Sequence, residues 1–326
     1  MNTRTGFQIL SRRDINSLLG DILKEWAVML SSDQSTFVLC DEDDGWLSQA
    51  AMEELLQAVN TAHNAPFQVC SFEQAFVCDK SRPAYGFRSW DAFFTRAFRP
   101  GMRPVAFPED DSVIVNPCES LPYALATDVP AEQQFCLKGT TYSVAAMLNN
   151  DPIATKFLGG TVLQGWLSLL NYHRWHAPVA GTIIRSFHID GTYFAADPAH
   201  GFELFDSDGQ PTPDRQAPDA SQRLISSIAT REVIIIKADD SRIGCVAFIA
   251  IGMADVSGCV ATVHEGDHVS KGQEIGSFHY GGSSYCLLFQ RNVSLLFSPL
   301  VDLAQEGQAE ITEKCIALNS ELARVL

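Results

Sequence analysis

Two short stretches of this chain carry residue types that could do chemistry. Near the C-terminus, Gly281-Gly282-Ser283-Ser284 follows Phe278-His279-Tyr280 and precedes Tyr285-Cys286. A serine after two glycines has a backbone carbonyl beside it with no Cβ in the way. If the fold holds the Ser283 hydroxyl there and a base takes its proton, the serine can attack its own chain. A strand, a tight turn and a second strand account for the same residues, because Gly-Gly supplies unusual backbone angles. The second stretch is Tyr172-His173-Arg174-Trp175-His176-Ala177-Pro178. Histidine is the side chain that carries protons near neutral pH. A packed aromatic turn or a surface loop fits this string too, and a metal needs more ligands than two histidines supply.

Other strings extend the pattern: Phe93-Phe94-Thr95-Arg96, Asn116-Pro117-Cys118-Glu119-Ser120 and the glycine-punctuated run Phe248 to Cys259. Together they resemble the phosphatidylserine decarboxylase family, whose members make their own pyruvoyl cofactor. The resemblance spans roughly residues 85–290. The family's Leu-Gly-Ser-Thr cleavage site appears here as Gly281-Gly282-Ser283-Ser284, a form closer to the soluble branch that includes the fungal L-tryptophan decarboxylases. Residues 172–181 match Tyr-His-Arg-x-His-x-Pro-x-x-Gly, and residues 93–96 match Phe-Phe-x-Arg.

The resemblance implies a cut between Gly282 and Ser283, giving fragments 1–282 and 283–326, with Ser283 becoming the pyruvoyl group. It makes His176 the base that activates Ser283 and places His173 at the substrate. Glu119 stands where the family has the aspartate of Ser-Pro-Ala-Asp-Gly, and a carboxylate there can orient a histidine. Gly281, Ser284, Gly252 and Met253 are its supporting positions around the substrate. A pyruvoyl ketone condenses with a substrate amine as a Schiff base and withdraws electrons as CO2 leaves. The implied reaction is decarboxylation of an aromatic L-amino acid, L-tryptophan first, with a homodimer by family analogy. Phosphatidylserine decarboxylation by a peripheral enzyme and an uncleaved binding protein are the alternatives. No lysine sits in a setting suited to pyridoxal phosphate, and no metal is expected.

These residues must be positioned by an α+β fold. The expected order is a mainly helical region, 1–84, packed on a β-rich decarboxylase core, 85–326, with a hammerhead-like hairpin near the cleavage site. Ile15, Leu18, Leu19, Ile22, Leu23 and Trp26 recur at helical spacing, predicting a helix from Ser11 to about Leu30 that is capped by Ser11 with Asp14 and packs inward. A second helix is expected over Ser48 to Thr61. Ser89 and Asp91 can cap a short helix holding Phe93, Phe94 and Phe98 that Arg99-Pro100-Gly101 stops, and another helix is expected over Ser143 to Leu148. Strands are expected at Val113–Val115, Thr182–Phe187, Thr192–Ala195, Glu232–Ala238 and Cys245–Ile251. Val263 to Phe278 reads as two short glycine-punctuated strands, and Asp206 to Asp219 as a surface loop.

Composition bounds the function classes. A formal net charge of −16 over 326 residues opposes binding to nucleic-acid backbones and to anionic membrane surfaces. The longest apolar runs have strand length rather than membrane-spanning length. Nine cysteines without a CxxC pair suggest free thiols in a reducing compartment, so a cytoplasmic, soluble protein is expected.

Overall fold

The computed structural model describes residues 4–132, 135–136, 139–140, 142–198, 204–205, 207–212, 221–253, 258–279, 283–305 and 315–326. Five helices come first: α1 (Arg4–Leu10), α2 (Arg13–Leu30), α3 (Gln49–Thr61), α4 (Phe72–Ala75) and α5 (Trp90–Phe94). Then follow β1 (Val113–Val115), β2 (Leu121–Ala126), β3 (Phe135–Cys136), β4 (Gly139–Thr140), α6 (Val144–Met147), β5 (Thr161–Leu167), β6 (Arg174–His176) and β7 (Gly181–Ile189). The rest comprises β8 (Leu204–Phe205), β9 (Pro211–Thr212), α7 (Gln222–Ile228), β10 (Arg231–Ala238), β11 (Cys245–Gly252), β12 (Gly258–Ala261), β13 (His268–Val269) and β14 (Glu274–His279). Last come β15 (Ser283–Phe289), β16 (Leu295–Phe297), α8 (Pro299–Gln305) and β17 (Glu321–Val325). This is the expected α+β architecture, helices first and a β-rich core after.

Seven strands in the order β13-β7-β10-β11-β15-β5-β2 form the central sheet, antiparallel throughout. Side chains alternate between its faces. Ile234, Ile236, Phe248, Tyr285 and Leu287 join one apolar cluster, while Val233, Ile235, Ile249, Cys286 and Leu288 join the other. Both faces are covered, which explains why β10 and β11 read as unbroken apolar runs rather than as alternating ones. The first face is closed by Trp175 of β6, Phe278 of β14 and Ile114 of β1. Met147 of α6 and Ile225 of α7 close the second.

The N-terminal layer has its own aromatic core. Leu55 and Val59 of α3 meet Phe72, Phe76 and Phe93, with Phe72 stacked on Phe93 at 5.9 Å and Phe76 on Phe98 at 4.9 Å. Ser48 caps α3 by accepting from the Ala51 N–H at 3.3 Å.

Three local expectations are corrected. First, α2 starts at Arg13, behind Arg12 and without a side-chain cap; Asp14 binds the Arg12 guanidinium instead (2.9 Å). Second, its apolar face does not all turn inward. Leu18 is 62% exposed, and Ile22, Trp26 and Met29 continue an exposed stripe beside the half-buried Ile15, Leu19 and Leu23. The helix approaches the core through small and polar residues: a Cβ on Gly20 would lie 2.8 Å from the Tyr193 hydroxyl, and the Asn16 side chain accepts from the Tyr193 N–H. Third, Thr192–Ala195 is not a strand; Thr192 makes a single bridge with Ala229. The expected loop 206–219 lies mostly outside the described residues. Among the described residues no helix is long and apolar enough to cross a membrane.

Candidate active site

Ser283 opens β15, with Gly252 of β11 and Leu167 of β5 as its strand neighbours. It is wholly buried, and its hydroxyl has no hydrogen-bond partner among the described residues. An unpaired buried hydroxyl costs about 1–3 kcal/mol, so its presence calls for a reason other than stability. Tyr280, Gly281 and Gly282 lie outside the described residues.

The next residue turns to the opposite face. Ser284 accepts from Gln164 Nε2 at 3.4 Å, and Gln164 Oε1 accepts from the Tyr142 hydroxyl at 2.6 Å. Gln164 also donates to Gln222 Oε1 (3.3 Å), whose amide donates to Met253 Sδ (3.0 Å). A buried polar network therefore flanks one side of Ser283's strand, and Met253 follows directly on Gly252.

Tyr285, two residues on, is held from the Asn116–Ser120 segment. Its hydroxyl donates to Asn116 Oδ1 (2.9 Å) and accepts from the Ser120 hydroxyl (3.2 Å). Its ring lies across Gly165, where any Cβ would fall 2.4 Å from Cε1. Glu119, in the same segment, does not reach a histidine. Its carboxylate pairs with both arms of Arg103, Nε at 2.9 Å, and accepts from the Leu318 N–H at 2.9 Å. Arg103 also donates to the Val59 carbonyl, so this buried ion pair joins α3, the Asn116–Ser120 segment and the C-terminal segment.

The two histidines of the 172–178 string occupy different surroundings. His173 is wholly buried, its ring stacked on Phe94 at 4.0 Å, and neither ring nitrogen has a hydrogen-bond partner among the described residues. Burial, helped by the charge of Arg96, pushes it well below the ordinary imidazole value of 6.5. The Asn171 backbone opposes this weakly, without reaching hydrogen-bond geometry. Arg96 is itself buried, donating to the carbonyls of Phe93, Leu170 and Asn171, and burial lowers it to about 10.

His176 sits at the end of β6 with both nitrogens engaged. Nδ1 lies 2.7 Å from the Gly272 carbonyl and so carries the proton; Nε2 accepts from the Tyr172 hydroxyl at 3.3 Å. Burial lowers it too, against the opposing pull of the Gly272 carbonyl and Glu274. No hydrogen bond joins either histidine to Ser283 among the described residues. Chain connectivity links the two residues only indirectly. β5 ends at Leu167, the partner of Ser283, and runs on to His173, whose carbonyl accepts from Phe278 N–H (2.8 Å) in the strand leading toward Ser283.

Sequence reasoning missed one pair here. His279 Nδ1 meets Asp91 Oδ1 at 2.7 Å, and its Nε2 lies 3.2 Å from the Ser277 hydroxyl. Asp91 was expected to help cap α5, but Ser89 does so alone, accepting from Ala92 N–H at 3.0 Å. The available signal was the position of His279, four residues ahead of Ser283 in the chain.

A family model described as phosphatidylserine decarboxylase matches residues 90–314, and a second of that description matches residues 1–55. Decarboxylase iboD of Amanita muscaria is 40% identical over 326 residues, 99% of this chain and 88% of its own length. L-tryptophan decarboxylase of Psilocybe cubensis is 38% identical over 323 residues, 96% of this chain and 68% of its own. Phosphatidylserine decarboxylase proenzyme 3 of Schizosaccharomyces pombe is 30% identical over 212 residues, 65% of this chain and 20% of its own.

Proposed function

The chain belongs to the phosphatidylserine decarboxylase family and is a pyruvoyl-dependent decarboxylase, and from that premise we propose that Ser283 is the residue it converts, by a cut after Gly282. The observation that carries this is the buried Ser283 hydroxyl, which has no hydrogen-bond partner among the described residues. A group made from the chain itself needs no anchoring lysine, only a hydroxyl beside a carbonyl and a proton acceptor; these residues fit that requirement. The Ser283 hydroxyl adds to the Gly282 carbonyl carbon and the C–N bond breaks, giving an ester that still joins the two parts. Loss of the Ser283 Cα proton then breaks the Cβ–O bond, which leaves fragment 1–282 ending in a carboxylate and fragment 283–326 beginning with a dehydroalanine. Its enamine tautomerises to an imine, and water hydrolyses that to the ketone, releasing the serine nitrogen as ammonia.

We assign the proton acceptor to His173 rather than His176. Both ring nitrogens of His173 are without a hydrogen-bond partner among the described residues, whereas both nitrogens of His176 are already committed. In this reading His176 fixes β6 against the 272 turn, and Glu119 fixes the segment that holds Tyr285. The pyruvoyl carbonyl supplies an electron sink for the loss of CO2. The second half of the site would orient the substrate through Gly252, Met253, Ser284 and the amide network behind them.

The substrate class is an L-amino acid. L-tryptophan leads among candidates, because relatives covering most of this chain bear that activity in their names. A net charge of −16 also disfavours docking on an anionic lipid surface. Intact-mass measurement tests the reading. It expects the two fragments, with hydroxylamine or borohydride modifying residue 283, and a single unprocessed, inactive chain for Ser283→Ala. An active, unbroken wild-type polypeptide would overturn it. Assay of the processed protein against an amino-acid panel and phosphatidylserine decides the substrate.

A further inference from the structure

We propose that Asp91 and His279 are positioning residues for self-processing, a clamp that fixes the stem of the segment carrying Gly282. The proposal rests on the Ser283 reading above. His279 is the last residue of β14, and β15 begins at Ser283, so the bond to be cut lies between two strand ends. The β15 end is fixed by its ladders to β11 and β5. The β14 end is held by its pairing with β12 and by the His279 ring. That ring is bonded at 2.7 Å to Asp91 and at 3.2 Å to Ser277, and both members of the Asp91–His279 pair are largely buried.

Asp91 stands on a platform shared with the proposed proton acceptor. Asp91 and Phe94 lie one turn apart on α5 and so face the same way. Phe94 stacks on His173, while Asp91 binds His279. α5 is tied down at both ends: the Trp90 N–H donates to the Ser35 hydroxyl (2.8 Å), and Arg174 Nε donates to the Thr95 carbonyl (2.7 Å). One short helix thus sets the place of the histidine that takes the proton and of the strand end that presents the carbonyl. Attack within a chain needs reacting atoms about 3–3.5 Å apart, and a misplacement of about 1 Å can cost on the order of a hundredfold.

The test follows fragment appearance by intact mass after cell-free synthesis, with thermal unfolding as a control on folding. Asp91→Leu and His279→Phe keep bulk but remove the bond. Each should slow processing by about tenfold to a hundredfold. The double variant should be no slower than the slower single one, because both remove the same contact. His279→Asn, whose amide can donate where Nδ1–H did, should recover most of the rate even if the other variants fold poorly. Processing at the wild-type rate in the folded single variants, multiplied losses in the double variant, or no recovery in His279→Asn would overturn the clamp. Absence of the 283–326 fragment from wild-type protein would instead overturn the Ser283 reading, and the clamp with it.

Discussion

His173 and His176 stand three residues apart in one string, yet the fold gives them opposite surroundings. His173 lies in a connection between strands, walled by Phe94 and Arg96, with both nitrogens unbonded among the described residues. His176 lies in a strand, with a carbonyl on one nitrogen and a phenol on the other. A ring whose nitrogens are occupied is a structural part; a buried ring whose nitrogens are vacant costs stability and is available for chemistry. Spacing alone makes the two look alike, and only their neighbours separate them.

The sharpest test of that contrast is to remove each ring. His173→Ala is expected to slow self-processing by about 10²–10⁴-fold, the usual range for a general base. His176→Ala is expected to cost far less in processing and to act through a lower unfolding temperature. Fragment formation followed by intact mass reads both, and a reversed order would break the comparison.

Glu119 tests the same contrast from the acid side. Were it to orient a histidine, its loss would damage chemistry first. Its carboxylate instead neutralises Arg103 in a buried pair. Glu119→Gln should therefore destabilise the fold by about 3–5 kcal/mol, the range for leaving a buried charge unpaired. The folded fraction should still process. Denaturant unfolding measures the first effect; a stable but unprocessed Glu119→Gln protein would return Glu119 to the chemistry.

Acid makes a smaller and signed prediction. Both histidines have folded values below 6.5. Below 6.5 the unfolded chain therefore binds protons that the folded chain does not. Their contribution to stability is whole above pH 6.5 and is lost as pH falls from there toward the folded values. Unfolding temperature should drop on acidification through this window, and less steeply in His173→Phe, which keeps the ring on Phe94 but cannot titrate. An unchanged slope in that variant would show that His173 is not buried in its neutral form.

Much of this was legible in the residues. The apolar runs of β10 and β11 read as strands and are strands, and Gly-Gly-Ser-Ser and the histidine string drew attention to Ser283 and His173, both of which are wholly buried. What stayed hidden depended on partners distant in sequence. Asp91 read as a cap because its helix lies close by, whereas its partner His279 comes from the far end of the chain. The Glu119–Arg103 pair was invisible because no local pattern marks a buried guanidinium. The α2 stripe misled for a different reason: helical periodicity shows that a face exists, not what covers it. Gly20 and Asn16, small and polar, make the contacts with Tyr193 that an apolar pattern discounts.

The finest test removes a single oxygen. Tyr172 stacks on Phe98 at 4.4 Å and gives its hydroxyl to His176 Nε2. Tyr172→Phe keeps the stack and empties one nitrogen of His176, making that ring more like His173. Loss of one such hydrogen bond should cost about 0.5–1.5 kcal/mol of stability. If vacancy alone conferred reactivity, the variant would let His176 compensate for a missing His173. It should not, because His176 sits on the strand that pairs with Glu274, away from the turn leading out of Leu167. The double variant His173→Ala with Tyr172→Phe should accordingly process no faster than His173→Ala alone, and a measurable gain in fragment yield would show that position matters less than vacancy.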